Sequence, residues 1–211
     1  MKKIGVALLG AAFSLNVHAA WYQVEIILFE HLYPDAGGEV WHAGQGLPDV
    51  QGGMELVTDS AAGDVPFLLL RSGQHKLEGV YRALRSSRSY RPILHLAWQQ
   101  PGYGAGAGAK KVHIRDTLAA RENPEEAPVR VDGSIRLRVS RFLHADVDLA
   151  YFFQPVPGYL VNGTAETLPV TGETAQYSRL RESRRMKLNE LHYFDHPLFG
   201  LFMRVSRFGG E

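Results

Sequence analysis

Cysteine is absent from the 211-residue chain. Disulfide bonds and metal sites built on thiolate ligands are therefore excluded. A lipid anchor on an N-terminal cysteine is excluded for the same reason. A chain of this length can bury enough apolar surface to fold as one domain without covalent cross-links.

Lysine and arginine are missing from residues 20–70, the acidic first part of the chain after the N-terminal apolar run. Residues 20–70 contain eight Asp or Glu and no Lys or Arg, whereas residues 71–211 contain 21 Lys or Arg and 14 Asp or Glu. Two explanations fit this asymmetry: the acidic part pairs with the basic part inside the fold, or a basic face is turned toward an acidic partner. Because the charges nearly cancel overall, we expect no nucleic-acid partner.

Long apolar runs are scarce as well. Residues 4–15 form one such run, which follows two lysines and precedes a small-residue motif ending at Ala19. This is the order of residues in a secretory signal peptide, and the run is about half the roughly 20 residues that cross a bilayer. We expect residues 1–19 to be a cleaved signal peptide and residues 20–211 to be a periplasmic protein without a membrane span. A retained N-terminal anchor is the alternative.

Alternation of apolar and polar residues predicts that most of the chain is β-strand. Residues 135–151 are apolar at odd positions, which predicts one long strand or two strands joined by a bulge. We expect residues 110–115 to be the return strand of a hairpin that begins with residues 90–100. Further strands are predicted at residues 21–32, 177–187 and 198–208.

One segment has helical spacing. Leu77, Val80, Tyr81 and Leu84 recur on one helix face, and Ser72 is a candidate for the N-cap. Because strands outnumber helices, we predict an α+β fold with a single domain, mainly antiparallel β-sheet, and one principal helix packed on it.

The C-terminal part of the sequence concentrates histidine and acidic residues. His192, Asp195 and His196 are ligand types for a divalent metal, but the segment lacks the glutamate between the histidines that zinc peptidases use as a base. Pro197 disfavours helical geometry at His196, and on a strand the two histidines would only share a face. The alternative is that these side chains make hydrogen bonds in a turn and at a sheet edge.

Arginine is concentrated just before this segment. On a strand, Arg179, Arg181 and Arg185 share one side and Arg184 lies on the other. Two interpretations remain open for Arg184 and for Arg141, which stands alone in an apolar row. Each forms a buried ion pair with a carboxylate, or each binds a carboxylate of an anionic ligand.

Trp98, followed by Gln99 and Gln100, combines an aromatic ring with planar amides, as sugar-binding sites do. Because Trp98 shares strand parity with Leu94 and Leu96, packing in the core is the alternative. The sequence has no Gly-x-Ser-x-Gly nucleophile motif and no phosphate-binding glycine loop. We therefore expect no catalytic residues, no metal and no cofactor.

Five blocks of the sequence resemble the CsiV family, in the same order as in that family. The resemblance implies a periplasmic, non-enzymatic peptidoglycan-binding protein of Gram-negative bacteria. It further implies a role in cell-shape integrity and in support of penicillin-binding-protein synthases, with such a synthase or its lipoprotein activator as a partner. The blocks are WYQVE at 21–25, HLAWQQP at 95–101, RFLH at 141–144, SRRM at 183–186 and LHYFDHP at 191–197.

These observations lead to one hypothesis and two rivals. We expect a polar surface that contacts the cell wall or a partner protein. A metal-dependent cell-wall hydrolase using His192, Asp195 and His196 is the first rival, and a purely protein-binding scaffold is the second. The residues expected at the polar surface are Arg141, His144, Arg184, Arg185, His192, Tyr193 and His196, with Trp98 as a further ligand-binding candidate.

Overall fold

The computed structural model describes six ranges of the chain: residues 20–34, 46–58, 65–104, 108–116, 128–157 and 177–209. The expected signal peptide, residues 1–19, lies outside the described residues. Within the described ranges, no helix is long and apolar enough to cross a membrane.

Strands dominate the described chain, and one α-helix accompanies them, which confirms the α+β prediction. The helix α1 spans Glu78–Arg85, and a short 3-10 helix, Ser72–Gln74, precedes it. The strands are β1 Trp21–His31, β2 Leu68–Leu69, β3 Tyr90–Pro101, β4 Lys111–Arg115, β5 Pro128–Val139, β6 Leu143–Pro157, β7 Tyr177–Met186, β8 Leu191–His196 and β9 Phe199–Arg207.

The strands form two antiparallel sheets. The five-stranded sheet has the order β2-β3-β1-β9-β8, and the four-stranded sheet has the order β4-β5-β6-β7. β1 lies at the centre of the first sheet, paired with β3 on one side and β9 on the other. A strand in that position loses water on both faces, which explains why residues 22–30 are buried without interruption.

The main hydrophobic core lies between the two sheets, which pack face to face. Both sheets supply alternate residues to it, because successive side chains of a strand point to opposite faces. Buried members from the two sheets include Val24, Ile26, Trp98, Phe194, Ile135, Val147 and Leu149.

Helix α1 covers the other face of the five-stranded sheet. Leu77 and Leu84 pack there against Ile27 and Phe29 of β1. The predicted apolar face of the helix is therefore confirmed, and its polar side, with Arg82 and Arg85, is exposed.

The predicted N-cap of the principal helix is wrong. Ser72 begins the 3-10 helix, six residues before α1. The segment that enters α1 is instead held from the sheet, since the Glu25 carboxylate of β1 accepts hydrogen bonds from the backbone N–H groups of Lys76 at 2.7 Å and Leu77 at 2.8 Å.

The expected strand at residues 135–151 is a hairpin. β5 ends at Val139, β6 begins at Leu143, and these two residues pair across the turn at residues 140–142. Paired residues point to the same side of a sheet, so a three-residue turn leaves odd-numbered residues facing the core in both strands. The alternation of apolar and polar residues is therefore the same for this hairpin as for one continuous strand.

Two further strand predictions are corrected. β4 does not return along β3; it pairs with β5 in the other sheet, with Val112 opposite Ile135. A third strand also lies near the C-terminus, because β8 forms a hairpin with β9. Residues 191–196 were expected only to make turn and edge contacts.

The acidic first part of the chain pairs with other side chains inside the fold. Four of its eight carboxylates lie in the described residues, and each contacts a cationic or histidine side chain, which confirms internal pairing for these four. The pairs are Glu25 with His95, Glu30 with Arg91 and Arg130, Asp49 with Lys111, and Glu55 with His113.

Candidate binding site

The outer face of the four-stranded sheet is polar because of strand alternation. On β5 and β6 odd-numbered residues enter the core, so even-numbered residues point outward. The register between β6 and β7 reverses this parity on β7, where odd-numbered residues point outward. The outward side chains include Ser134, Arg136, Arg138, His144, Asp146, Asp148, Arg179, Arg181, Ser183 and Arg185.

A groove of about 740 Å³ lies on this outer face. Its floor consists of side chains from β5, β6 and β7, and residues 46–50 contribute a wall with Leu47 and Asp49. The polar residues of these strands that line it are Ser134, Arg136, Asp146, Asp148, Arg179, Arg181, Glu182 and Ser183.

Three contacts hold this wall and the neighbouring residues against the sheet. Lys111 of β4 donates a hydrogen bond to Asp49 Oδ2 at 2.8 Å, and Arg179 Nη1 donates one to the Gly46 carbonyl at 3.0 Å. His113 bridges Glu55 and Asp132, with both nitrogen–oxygen distances 2.6 Å. The groove is therefore shaped by ion pairs as well as by the sheet.

Two arginines of the outer face are engaged by aspartates in two-point contacts. Arg138 binds Asp146 at 2.7 and 2.8 Å, and Arg179 binds Asp148 at 2.7 Å from each of two nitrogens. Burial alone would raise the pKa of Asp146, but hydrogen bonds from Arg138 and Ser183 lower it below the usual value. These pairs fix the two carboxylates, while the remaining cations, two arginines of the groove, are left without a hydrogen bond to a described side chain.

Arg136 and Arg181 are those remaining cations. Neither forms a hydrogen bond or ion pair with any residue in the part of the chain that the structure describes. Nε of Arg136 is shielded from water, and a buried N–H group without an acceptor costs about 1–3 kcal/mol. The two residues flank β6 on opposite sides, roughly 10 Å apart across the sheet. A carboxylate bound at either arginine would be a charged acceptor for its guanidinium group.

Three of the predicted site residues lie together at the β5–β6 turn. The guanidinium carbon of Arg185 lies 3.4 Å from the centroid of the Phe142 ring, and that of Arg141 lies 5.5 Å from it. His144 is opposite Arg185 in the sheet register. The outer face of the sheet therefore continues from the groove to an exposed cluster of two arginines, a phenylalanine and a histidine.

Arg184 lies apart from this cluster, on the inner side of β7. It forms an ion pair with Glu182 at 2.6 Å and donates a hydrogen bond to the Tyr193 carbonyl at 2.5 Å. Its guanidinium also lies 4.8 Å from the centroid of Phe194. Arg184 therefore forms an ion pair with Glu182, but this pair is half buried and not fully buried as expected, whereas Arg141 is exposed.

Tyr193 lies on the helix side of the five-stranded sheet, away from the groove. Its ring packs on Phe202 at 5.1 Å and on Phe29 at 6.0 Å, measured between centroids. Its hydroxyl donates a hydrogen bond to Asp195. Burial, followed by this bond, raises the pKa of Tyr193.

His192, Asp195 and His196 do not converge on one point. β8 is a strand, so Asp195 points to the face opposite the two histidines, and four residues of strand separate the histidines by roughly 13 Å. His192 Nε2 accepts a hydrogen bond from the Lys187 N–H at 3.1 Å, and His196 Nδ1 accepts one from the Leu198 N–H at 3.2 Å. Both histidines thus stabilise turns.

Trp98 belongs to the core between the sheets. It is fully buried, and its indole N–H donates to Gln100 Oε1 at 2.8 Å. The ring is not presented to a ligand, so the core-packing alternative is confirmed.

Arg136, Asp146, Asp148 and Ser183 were not recognised as a shared site from the sequence. The signal was present in the even positions of residues 136–148, which are polar almost throughout. It could not be used without the β6–β7 register, because that register brings Arg181 and Ser183 beside them.

The comparisons with known proteins give one match. A family model described as "Peptidoglycan-binding protein, CsiV" matches residues 2–208. No curated protein and no solved structure matches the chain.

Proposed function

The chain belongs to the CsiV family of peptidoglycan-binding proteins, and we propose that it binds peptidoglycan through the groove and the adjoining Arg141–Phe142–Arg185 cluster. The observation that carries the proposal is the pair of groove arginines, Arg136 and Arg181, neither of which forms a hydrogen bond or an ion pair with a described residue. Binding of this kind needs no chemical step, so we propose a non-enzymatic protein.

The chemistry of the groove suits this polymer. Peptidoglycan carries carboxylates on its peptides, and a guanidinium binds a carboxylate through two parallel hydrogen bonds. It also offers amides and hydroxyls, for which the charged side chains that line the groove are donors and acceptors. The exposed Phe142 ring provides an apolar surface for a sugar face at the end of the groove.

The hydrolase rival receives no support from the geometry of its residues. His192 and His196 accept backbone hydrogen bonds in separate turns, and Asp195 lies on the other face of β8. Release of muropeptides by the purified protein would support the hydrolase hypothesis.

The proposal is tested by co-sedimentation of the purified protein with sacculi. The double variant Arg136→Gln/Arg181→Gln removes both unpaired groove cations without touching the Arg–Asp pairs. Arg88→Gln/Arg207→Gln is the matched control, because it removes the same charge at two exposed positions outside the groove. We expect the groove variant to lose at least about tenfold in affinity, since each charge-assisted hydrogen bond contributes about 1.5–3 kcal/mol.

Two results would contradict the proposal. One is an equal loss of sacculus binding in the groove variant and the control, which would indicate a general charge effect. The other is unchanged binding in both. Raising the salt concentration should weaken wild-type binding, because exposed guanidinium–carboxylate contacts are screened.

We extend the proposal to the cell on the strength of the family resemblance. The protein supports synthesis by penicillin-binding proteins and cell-shape integrity, with a synthase or its lipoprotein activator as partner. Crosslinking in wild-type cells and in cells lacking the activator tests the partner. If sacculi failed to retain the protein while the crosslink persisted, the protein would be a protein-binding scaffold and the proposal of peptidoglycan binding would be wrong.

Periplasmic location is part of the same proposal. It is supported by the charged, apolar and small residues that follow one another through residues 1–19. N-terminal sequencing of the protein from a periplasmic extract should begin at Ala20. A chain that keeps residues 1–19 and sediments with membranes would instead show a retained anchor.

A further inference from the structure

A cluster of two histidines and a glutamate lies beneath the segment that leads into α1. Glu25 comes from β1, His95 from the neighbouring β3, and His75 from the connection between the 3-10 helix and α1. The register places Glu25 opposite Ala97 and Ile27 opposite His95, so both side chains point to the helix side of the five-stranded sheet. The groove is on the other sheet, so this cluster is separate from it.

The donor atoms of the three side chains are close together. One oxygen of Glu25 and one ring nitrogen from each histidine all lie within 4.8 Å of one another. His95 Nε2 is 2.8 Å from Glu25 Oε1, and the centroids of the two imidazoles are 4.3 Å apart. Among the described residues, no other group of at least three His, Asp or Glu side chains meets this condition.

The surroundings hold the cluster in place. Glu25 is 1% exposed, and the Lys76 and Leu77 N–H groups fix its carboxylate. The Tyr81 ring packs against His95 at 4.8 Å between centroids. His75 is only half buried, so solvent and a small ion can reach the cluster from its side.

We propose that Glu25, His75 and His95 bind a zinc-type divalent cation. Two imidazoles and one carboxylate are a donor set that zinc accepts, with a fourth position left for water. Zn–N and Zn–O bonds of about 2.0–2.2 Å place tetrahedral donors roughly 3.4 Å apart. The three donor atoms reach this geometry by small shifts, and the Glu25–His95 hydrogen bond gives way to two bonds to the metal.

A metal at this site cross-links parts of the fold that are distant in the sequence. A metal held by β1, β3 and the segment before α1 ties that segment to the sheet. Because the cation binds the folded chain and not the unfolded one, zinc raises the melting temperature of the wild type.

The test is a titration of the full, chelator-treated chain with Zn²⁺ by calorimetry, repeated with Co²⁺ by visible absorption. We expect one ion per chain and tetrahedral cobalt bands. His75→Ala leaves the Glu25–His95 pair and its backbone contacts intact, and we expect it to bind zinc at least tenfold more weakly. His95→Gln is a second variant, because it keeps a donor toward Glu25 and removes the imidazole.

His144→Ala is the matched control, since the chain has nine histidines and zinc binds exposed ones weakly. The control should keep wild-type affinity and the zinc-dependent rise in melting temperature, whereas His75→Ala should lose both. The proposal is overturned if the wild type takes up no stoichiometric zinc. It is also overturned if His75→Ala and His95→Gln bind as tightly as the control.

Discussion

Tyr151 of β6 donates a hydrogen bond of 2.8 Å to Glu30 of β1, and this bond joins the two sheets directly. Both residues are buried, and Arg91 and Arg130 also bind Glu30. Burial would raise the pKa of Glu30, but the bonds from Arg91 and Tyr151 lower it, which keeps a charged carboxylate at the sheet interface. Burial and the same bond raise the pKa of Tyr151 to about 12.

Tyr151→Phe removes this bond and keeps the ring. We expect the free energy of unfolding to fall by about 1.5 kcal/mol, because the lost bond has a charged acceptor while the two arginines still neutralise Glu30. Urea denaturation measures the change. Tyr33→Phe, at a position 79% exposed, is the control and should leave the midpoint unchanged. Equal midpoints for the two variants would show that the bond between the sheets contributes nothing.

Gly133 of β5 allows a close approach to β6. A Cβ atom at this position would collide with the Asp148 carbonyl oxygen and lie 2.7 Å from the Leu149 Cα, and neither backbone atom can move aside. We expect Gly133→Ala to lower the free energy of unfolding by at least about 2 kcal/mol. The control is Gly104→Ala, where a Cβ would meet nothing within 4 Å. Thermal melting that did not separate the two variants would contradict this account.

His113 makes stability depend on pH. Burial alone would lower its pKa, but the hydrogen bonds with Asp132 and Glu55 raise it to about 9. The folded chain therefore holds this proton more tightly than the unfolded chain, whose histidine titrates near about 6.5. The stabilisation is complete below pH ~6.5 and is lost as pH rises through about 9, a loss on the order of 3 kcal/mol.

The difference between wild type and His113→Gln isolates this effect. Urea unfolding at a series of pH values should show a free-energy difference that shrinks between pH ~6.5 and ~9. Glu55→Gln should lower the pH at which the difference stops shrinking, because it removes one of the two carboxylates that raise the pKa of His113. A difference that stays constant over this interval would show that His113 does not gain a proton on folding.

Much of the fold follows from local patterns in the sequence, but strand partners do not. The burial of residues 22–30 and the apolar face of α1 can be predicted because each is marked by the pattern of apolar residues within its own segment. The pairing of β4 with β5 cannot, since residues 111–115 would present the same alternation beside β3. The glycine-rich link before β4 suggested a hairpin, whereas the chain crosses there to the other sheet.

The candidate site shows the same limit. Strand parity correctly placed Arg179, Arg181 and Arg185 on one side and Arg184 on the other. Which side faces the core depends on the register with β6, and this register decided that Arg184 is paired inside while the other three point outward. Arg141 was placed in an apolar row because the turn at residues 140–142 preserves parity.

Arg185 and His192 now have different expected effects on wall binding. Arg185 is exposed on the outer face beside Phe142, whereas His192 closes the β7–β8 turn through the Lys187 N–H. We expect Arg185→Ala to weaken sacculus co-sedimentation by roughly tenfold, the effect of one charge-assisted contact. His192→Ala should leave retention unchanged and lower the unfolding midpoint only slightly.

Arg207→Ala controls for the loss of one charge, because Arg207 is exposed on the five-stranded sheet. It should retain wild-type binding. If His192→Ala released the protein from sacculi while Arg185→Ala did not, the contact surface would lie at the β7–β8 turn and not on the outer face of the four-stranded sheet. That result would exclude the groove even though the family assignment would stand, since the match to residues 2–208 does not depend on where the ligand lies.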